Sequence, residues 1–276
     1  MVGLSFKESY VSLQREGHLF RSCIGLGMSA LAASHAGDVG SYYTAFFQLS
    51  IGMERAMKVI LIAEYMAANA LQRPTTTVLK AHGHKLVDLV AAMRRVAGDS
   101  AQHPYASLQS GSIEHDVLEH LSDFATGARY FNLDHSATPT QLDQDPLVRW
   151  NGILRRLLNE DVPANRTKRV QVQAAFVADA IRDHASILRF GLDRSLLSAD
   201  ASILEPALTS EAAPYAVLRV LLLVSPLRIL LRASSRRVHA LDHQIGDGTP
   251  SIPEMHEFLD FLLVEKRSAL GKGRWL

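Results

Sequence analysis

Arg129 and His135 stand six positions apart in the segment Gly127-Ala128-Arg129-Tyr130-Phe131-Asn132-Leu133-Asp134-His135. A guanidinium and an imidazole can flank one phosphodiester. The first stabilises phosphate charge and the second gives or takes a proton near neutral pH. The chain has twelve histidines, so the spacing also arises by chance. The competing reading has Arg129 capping helix-end carbonyls or pairing with Asp123 or Asp134, and His135 solvated in a loop.

Three other groups of residues have chemical potential. In Glu114-His115-Asp116-Val117-Leu118-Glu119-His120, His115 and Glu119 share a helix face, as do Asp116 and His120. Such pairs bind a metal only weakly, because a tight site needs three or four ligands in fixed geometry. Exposed ion pairs one helical turn apart are the simpler reading, and no metal site is expected. His82-Gly83-His84 reads as a turn whose second histidine caps the following helix. Arg228, Arg232 and Arg236 are spaced by four, and His239 and His243 continue the same face. This ridge can track a phosphate backbone, or it can pair with acids elsewhere in the fold. There is no glycine-rich phosphate loop, nucleophile elbow or dinucleotide fingerprint, and no cofactor is expected. Cys23, the single cysteine, excludes an internal disulfide and reads as a small buried hydrophobe.

The elements that must position these residues are helical throughout. The 276 residues are 47% hydrophobic and 21% charged, an ordinary globular composition. Lys and Arg total 29 against 28 for Asp and Glu. The net charge of +1 therefore excludes a polybasic arm or acidic tail and leaves only local patches for electrostatic binding. The first twenty residues include Lys7, Glu8, Arg15, Glu16 and His18 and lack the apolar core of a secretion signal. Arg219, Pro226 and Arg228 interrupt the most apolar stretch, Tyr215 to Leu231. It reads as a buried helix pair, not a membrane span. A soluble cytoplasmic protein without a membrane partner is expected.

Phe46, Leu49, Met53, Met57, Ile60 and Met66 recur at three- and four-residue intervals, predicting a helix over residues 42–69 with its methionines in the core. Further helices are predicted at 84–96, at 113–125 behind the N-cap Ser112, and at 146–158, 167–190, 211–224, 226–243 and 253–268. Ser225-Pro226 reads as the start of a separate helix. Loops are expected at 97–112 and 135–146. The only strand candidates are 75–79 and 170–172. The chain is expected to be all-α, with residues 1–145 forming one bundle and 146–276 a C-terminal helical module, either separate from the bundle or continuous with it.

The order of motifs between Tyr42 and Asp134 resembles HEPN-type helical domains. Glu54-x-x-x-Lys58 lies on one helix, Gly83-His84-Lys85-Leu86-Val87-Asp88-Leu89 opens another, and a third ends in Arg129-Tyr130. The resemblance covers about a third of the chain. It implies an up-and-down helical bundle that pairs as a homodimer. In many members an arginine and a histidine separated by four to six residues cleave RNA without metal, in toxin–antitoxin or phage-defence systems. By that analogy Arg129 and His135 are catalytic. Lys58, Tyr130, Asn132, Arg228, Arg232 and Arg236 contact RNA phosphate or a nucleotide, and an antitoxin or activator is a partner. Tyr130 directly after the arginine is instead similar to members that bind a nucleotide or dimerise. A non-catalytic, ligand-sensing protein is thus the alternative.

Overall fold

A computed structural model gives the fold and describes residues 7–97, 103–138, 142–181, 188–245 and 249–276. Among the described residues ten α-helices follow one another. They are α1 (Glu8–Ala33), α2 (Val39–Ala68), α3 (Thr76–Ala81), α4 (Leu86–Ala97), α5 (Ile113–Thr126), α6 (Phe131–Ala137), α7 (Pro146–Glu160), α8 (Ala164–Ile181), α9 (Ala199–Ile245) and α10 (Lys266–Gly271). Short 3-10 turns occupy Ala128–Tyr130, Leu142–Gln144 and Met255–Leu262. Among the described residues there is no strand, only the isolated bridges His35–Asp38 and Phe190–Leu196. The protein is an all-α helical bundle, and none of its described helices is long and apolar enough to cross a membrane.

Two long helices organise the bundle. α2 packs against α1, α4, α5 and α9, while α9 packs against α1, α2, α5, α7, α8 and α10. One hydrophobic cluster includes Leu13 and Phe20 of α1, Met53 and Met57 of α2, Trp150 of α7, Val220 and Leu231 of α9, and Trp275. It therefore draws on both sides of residue 145. Met53, Met57 and Met66 are buried in it, as their spacing predicts.

Glycine permits the closest approach of α1 and α2. A Cβ on Gly52 would lie 2.7 Å from Ile24 Cγ1 and 3.0 Å from the Ile24 backbone nitrogen. One on Gly27 would lie 2.7 Å from Leu49 Cγ and 3.0 Å from the Leu49 nitrogen. Backbones come this near only where side chains are absent, which brings the two helix axes together.

The structure corrects several sequence expectations. The helices predicted at 211–224 and 226–243 are one helix, α9, with Pro206, Pro214 and Pro226 inside it. Ser225 is not its N-cap: the hydroxyl donates to the Leu221 carbonyl at 2.6 Å. A proline inside a helix costs about 3 kcal/mol. Burying Ala212, Ala216, Val217, Val220, Leu223, Val224, Leu227 and Leu231 on one helix offsets that cost. Arg219 is tolerated in this apolar stretch because its guanidinium donates to both Asp161 oxygens, at 2.7 and 2.6 Å, and to Glu114 at 2.7 Å.

Both strand candidates are helical, 75–79 falling largely in α3 and 170–172 in α8. α8 begins earlier than predicted, at Ala164, and is described as far as Ile181. Residues 182–187 of the predicted 167–190 helix lie outside the described residues, as do 98–102 and 139–141 of the two predicted loops. The first of those loops is otherwise turns and irregular chain. Much of the second is ordered helix: α6 carries His135, and a 3-10 turn precedes α7. The 253–268 helix is a 3-10 segment followed by α10.

The helix crossing gives a direct test. Gly52→Ala is expected to destabilise the protein by about 1–3 kcal/mol in urea unfolding, because the methyl has no space. Gly152→Ala, on an exposed position of α7 where a Cβ meets nothing within 4 Å, is expected to stabilise by about 0.5–1 kcal/mol. Equal effects of the two substitutions would contradict a close α1–α2 crossing.

Candidate functional site

α2, the α3–α4 connection and the end of α5 wall a cleft of about 660 Å³. α2 contributes Ile51, Glu54, Arg55, Lys58, Val59 and Ile62. Glu54 and Lys58 are one turn apart, and Glu54 Oε1 accepts from Lys58 Nζ at 2.8 Å. Arg55 donates to both oxygens of Glu16 on α1, at 2.9 and 2.7 Å. This pairing raises the Arg55 pKa further and ties that cation to the wall.

His84 enters from the four residues between α3 and α4. Gly83 before it adopts φ +66°, a left-handed conformation that a residue with a side chain rarely takes. The turn is as the sequence predicts, but His84 does not cap α4. Its Nδ1 lies 2.9 Å from Glu54 Oε1, the same oxygen that holds Lys58. Facing a carboxylate, Nδ1 is assigned as the donor, which leaves Nε2 with the lone pair.

Arg129 closes the other side with Ala125 and Thr126. α5 starts on Ser112, whose hydroxyl accepts from His115 N at 3.2 Å, and ends at Thr126. Arg129 and Tyr130 follow in the 3-10 turn. The Arg129 guanidinium lies over the Tyr130 ring, 4.9 Å from its centroid. Among the described residues Arg129 has no carboxylate partner. Asp123, a candidate partner from the sequence, is instead paired with Arg149. Tyr130 is 51% exposed and lines a neighbouring groove with Tyr43, Phe47 and Phe124.

The remaining sequence candidates fall elsewhere. His135 is on α6, stacked on Phe131 at 5.3 Å between ring centroids, and is not on the wall of the cleft that Arg129 lines. Asn132 belongs to a polar knot. Its amide donates to the Tyr43 hydroxyl at 2.6 Å, and its carbonyl oxygen accepts from Arg194 at 2.9 Å. Arg194 in turn donates to the buried Asp145, the N-cap of α7, at 2.5 Å. Arg194 and Asp145 carry no motif in the sequence. Of the arginine ridge on α9, Arg228 donates to Asp260 at 2.8 Å, whereas Arg232 and Arg236 lie on the exposed face. The neighbouring Arg237 pairs with Glu64. Desolvation raises the pKa of Cys23, and Arg55 opposes that shift, so the thiol lacks the depressed pKa of a nucleophile.

The His115–His120 segment divides between surface and core. Donor atoms of His115, Asp116 and Glu119 lie within 4.8 Å of one another. The Asp116 carboxylate, however, is held in an ion pair by Arg156, and His115 Nδ1 faces Glu119 at 3.7 Å. His120 is no surface partner of Asp116. It is 2% exposed, 4.4 Å from the Phe46 ring centroid and 5.1 Å from that of Trp150. Neither ring nitrogen has a hydrogen-bond partner among the described residues.

Compared with protein-family models, curated proteins and solved structures, the chain matches none.

Burial, and secondarily the Arg149 charge, pushes the His120 pKa down to about 3. An unfolded histidine titrates near 6.5. The unfolded chain therefore takes up the proton first as pH falls, and the stability present above about pH 6.5 is lost towards pH 3. From pH 7 to pH 5 this single group is expected to cost about 2 kcal/mol. His120→Leu removes that component, so its urea-unfolding free energy should fall less over the same interval. An identical pH slope in the two proteins would contradict the buried neutral imidazole.

Proposed function

We propose that the protein binds a phosphate-bearing ribonucleotide in the cleft between α2, the α3–α4 connection and the end of α5. Arg129 is the principal anion contact and Lys58 the second. The observation that carries this reading is Arg129 itself, a guanidinium lining the cleft with no carboxylate partner among the described residues. Arg55, Lys58 and Arg129 line the cleft against Glu16 and Glu54, leaving a net positive charge. A concave, partly desolvated site with excess positive charge attracts phosphate, and a guanidinium fits it through paired N–H donors. The resemblance to HEPN-type domains supports the same reading, since the positions that carry it, Glu54, Lys58, His84 and Arg129, line this one cleft. The ligand-binding form of that resemblance, with Tyr130 after the arginine, accords with it best, because His135 stands apart from the cleft.

Mononucleotides and single-stranded RNA share the phosphate chemistry, and separate binding arms distinguish them. AMP, ATP and GTP at millimolar concentration are tested by thermal shift and calorimetry, and a fluorescent RNA oligonucleotide by anisotropy. At least one is expected to bind, with affinity falling as salt rises. Arg129→Ala is expected to weaken it about tenfold or more, the loss of one charge-assisted contact. No binding by any of these probes, or full affinity in Arg129→Ala, would overturn the assignment.

A further inference from the structure

We infer that the groove beside the cleft, walled by Tyr43, Phe47, Phe124 and Tyr130, seats a flat aromatic ring of the ligand whose phosphate meets Arg129. This rests on the phosphate-binding reading above and places the other end of the same ligand.

Three observations support it. First, Arg129 belongs to both concavities. It lines the cleft of about 660 Å³ and also the groove of about 410 Å³. One ligand can therefore give its phosphate to the guanidinium and pass beyond it into the groove. Ligand sites span about 300–1,000 Å³, so the groove is large enough for a ring system. Arg129 is also the one charged side chain among the described residues that line the groove. A charged group thus belongs at the shared boundary and an uncharged one inside.

Second, the lining is aromatic and partly open. Aromatic residues are 7% of the chain but four of the seven residues on the groove wall. Phe47 is 43% exposed and Tyr130 51%. A ligand ring laid against them removes apolar surface from water and gains the offset or edge-on contact that aromatic pairs prefer. The other two lining residues, Thr44 and Gln48, are polar and uncharged. This aromatic lining is independent of the charged positions Glu54, Lys58 and His84.

Third, the remaining two rings form a fixed floor. Phe124 is buried, with its centroid 5.5 Å from that of Phe46 and 6.2 Å from that of Tyr43. The Tyr43 hydroxyl accepts from Asn132, which accepts from Arg194, which donates to the buried Asp145. The polar knot therefore sets one wall of the groove before a ligand arrives, which lowers the ordering cost of binding. Stacking reads the face of a ring, and every nucleobase or aryl group presents one. The groove is accordingly a seat for aromatic rings as a class.

The test uses the full chain and four probes in calorimetry: inorganic phosphate, ribose 5-phosphate, AMP and 1-naphthyl phosphate. The last two distinguish a ring reached through a sugar from a ring bonded directly to phosphate. At least one of them is expected to bind about tenfold or more tighter than ribose 5-phosphate, the gain of one stacked ring. Phe47→Ala is expected to remove most of that preference, with ribose 5-phosphate affinity changed less than about threefold. Phe47→Tyr keeps a ring and is expected to keep the preference. Phe47 is exposed on α2, so its truncation spares the core, and far-UV circular dichroism checks the fold of each variant. Equal affinity of wild type for ribose 5-phosphate and both aromatic probes overturns the inference and leaves the phosphate-binding reading intact. A ring preference that Phe47→Ala leaves unchanged does the same. Absence of binding by every probe overturns both.

Discussion

The contact on which the rest of the structure depends is the crossing of α1 and α2 at Gly27 and Gly52. There the Cβ that glycine lacks would fall within 2.7 Å of a facing side chain. That approach seats α2 in the middle of the bundle, where α4, α5 and α9 pack round it. It also fixes which face of α2 remains open. Glu54 follows Gly52 by two residues and Lys58 by six, so the register that places Gly52 against Ile24 also turns these two side chains into the cleft. The Arg55–Glu16 pair bridges the same two helices and holds that register from the polar side. A bulkier residue at the crossing would therefore disturb the floor of the site as well as the core.

Charge is distributed with a similar economy. The chain is nearly neutral, and many of its arginines are committed to carboxylates: Arg219 to Asp161 and Glu114, Arg194 to Asp145, Arg149 to Asp123, Arg156 to Asp116 and Arg237 to Glu64. Several of these partners are buried or half-buried, where an unpaired charge is costly. Arg129 is different because it lines a concave surface and meets an aromatic ring instead of an acid. Arg232 and Arg236 also face outward, but along an exposed helix face, where screening by solvent and salt weakens the attraction of any one charge. Concavity, more than charge count, distinguishes the cleft.

Much of the architecture was legible in the residues. The apolar spacing from Phe46 to Met66 defines α2 and Ser112 marks the start of α5, because caps and periodicity are local signals. α9 was not legible as one helix. Its prolines read as breaks, and only burial along its whole length, a tertiary effect, carries the helix through them. Likewise, β-branched Val170 and Val172 suggested a strand until α8 packed on α9. His120 looked like a surface ion-pair partner because local spacing cannot see the Phe46 and Trp150 rings that enclose it. Within the site, Lys58, His84 and Arg129 were visible as motifs. The bond between His84 and Glu54 was not, since it joins segments thirty residues apart and requires the fold to form. The knot through Asn132, Arg194 and Asp145 was hidden for the same reason.

The central claim is that phosphate sits against Arg129 in the cleft that α2 walls. The most direct measurement is a crystal structure of the protein with a short single-stranded RNA. The account predicts a phosphate within hydrogen-bond distance of the Arg129 guanidinium and near the Lys58 ammonium. An RNA strand bound along Arg232 and Arg236, or beside His135, with the α2 cleft empty would contradict it.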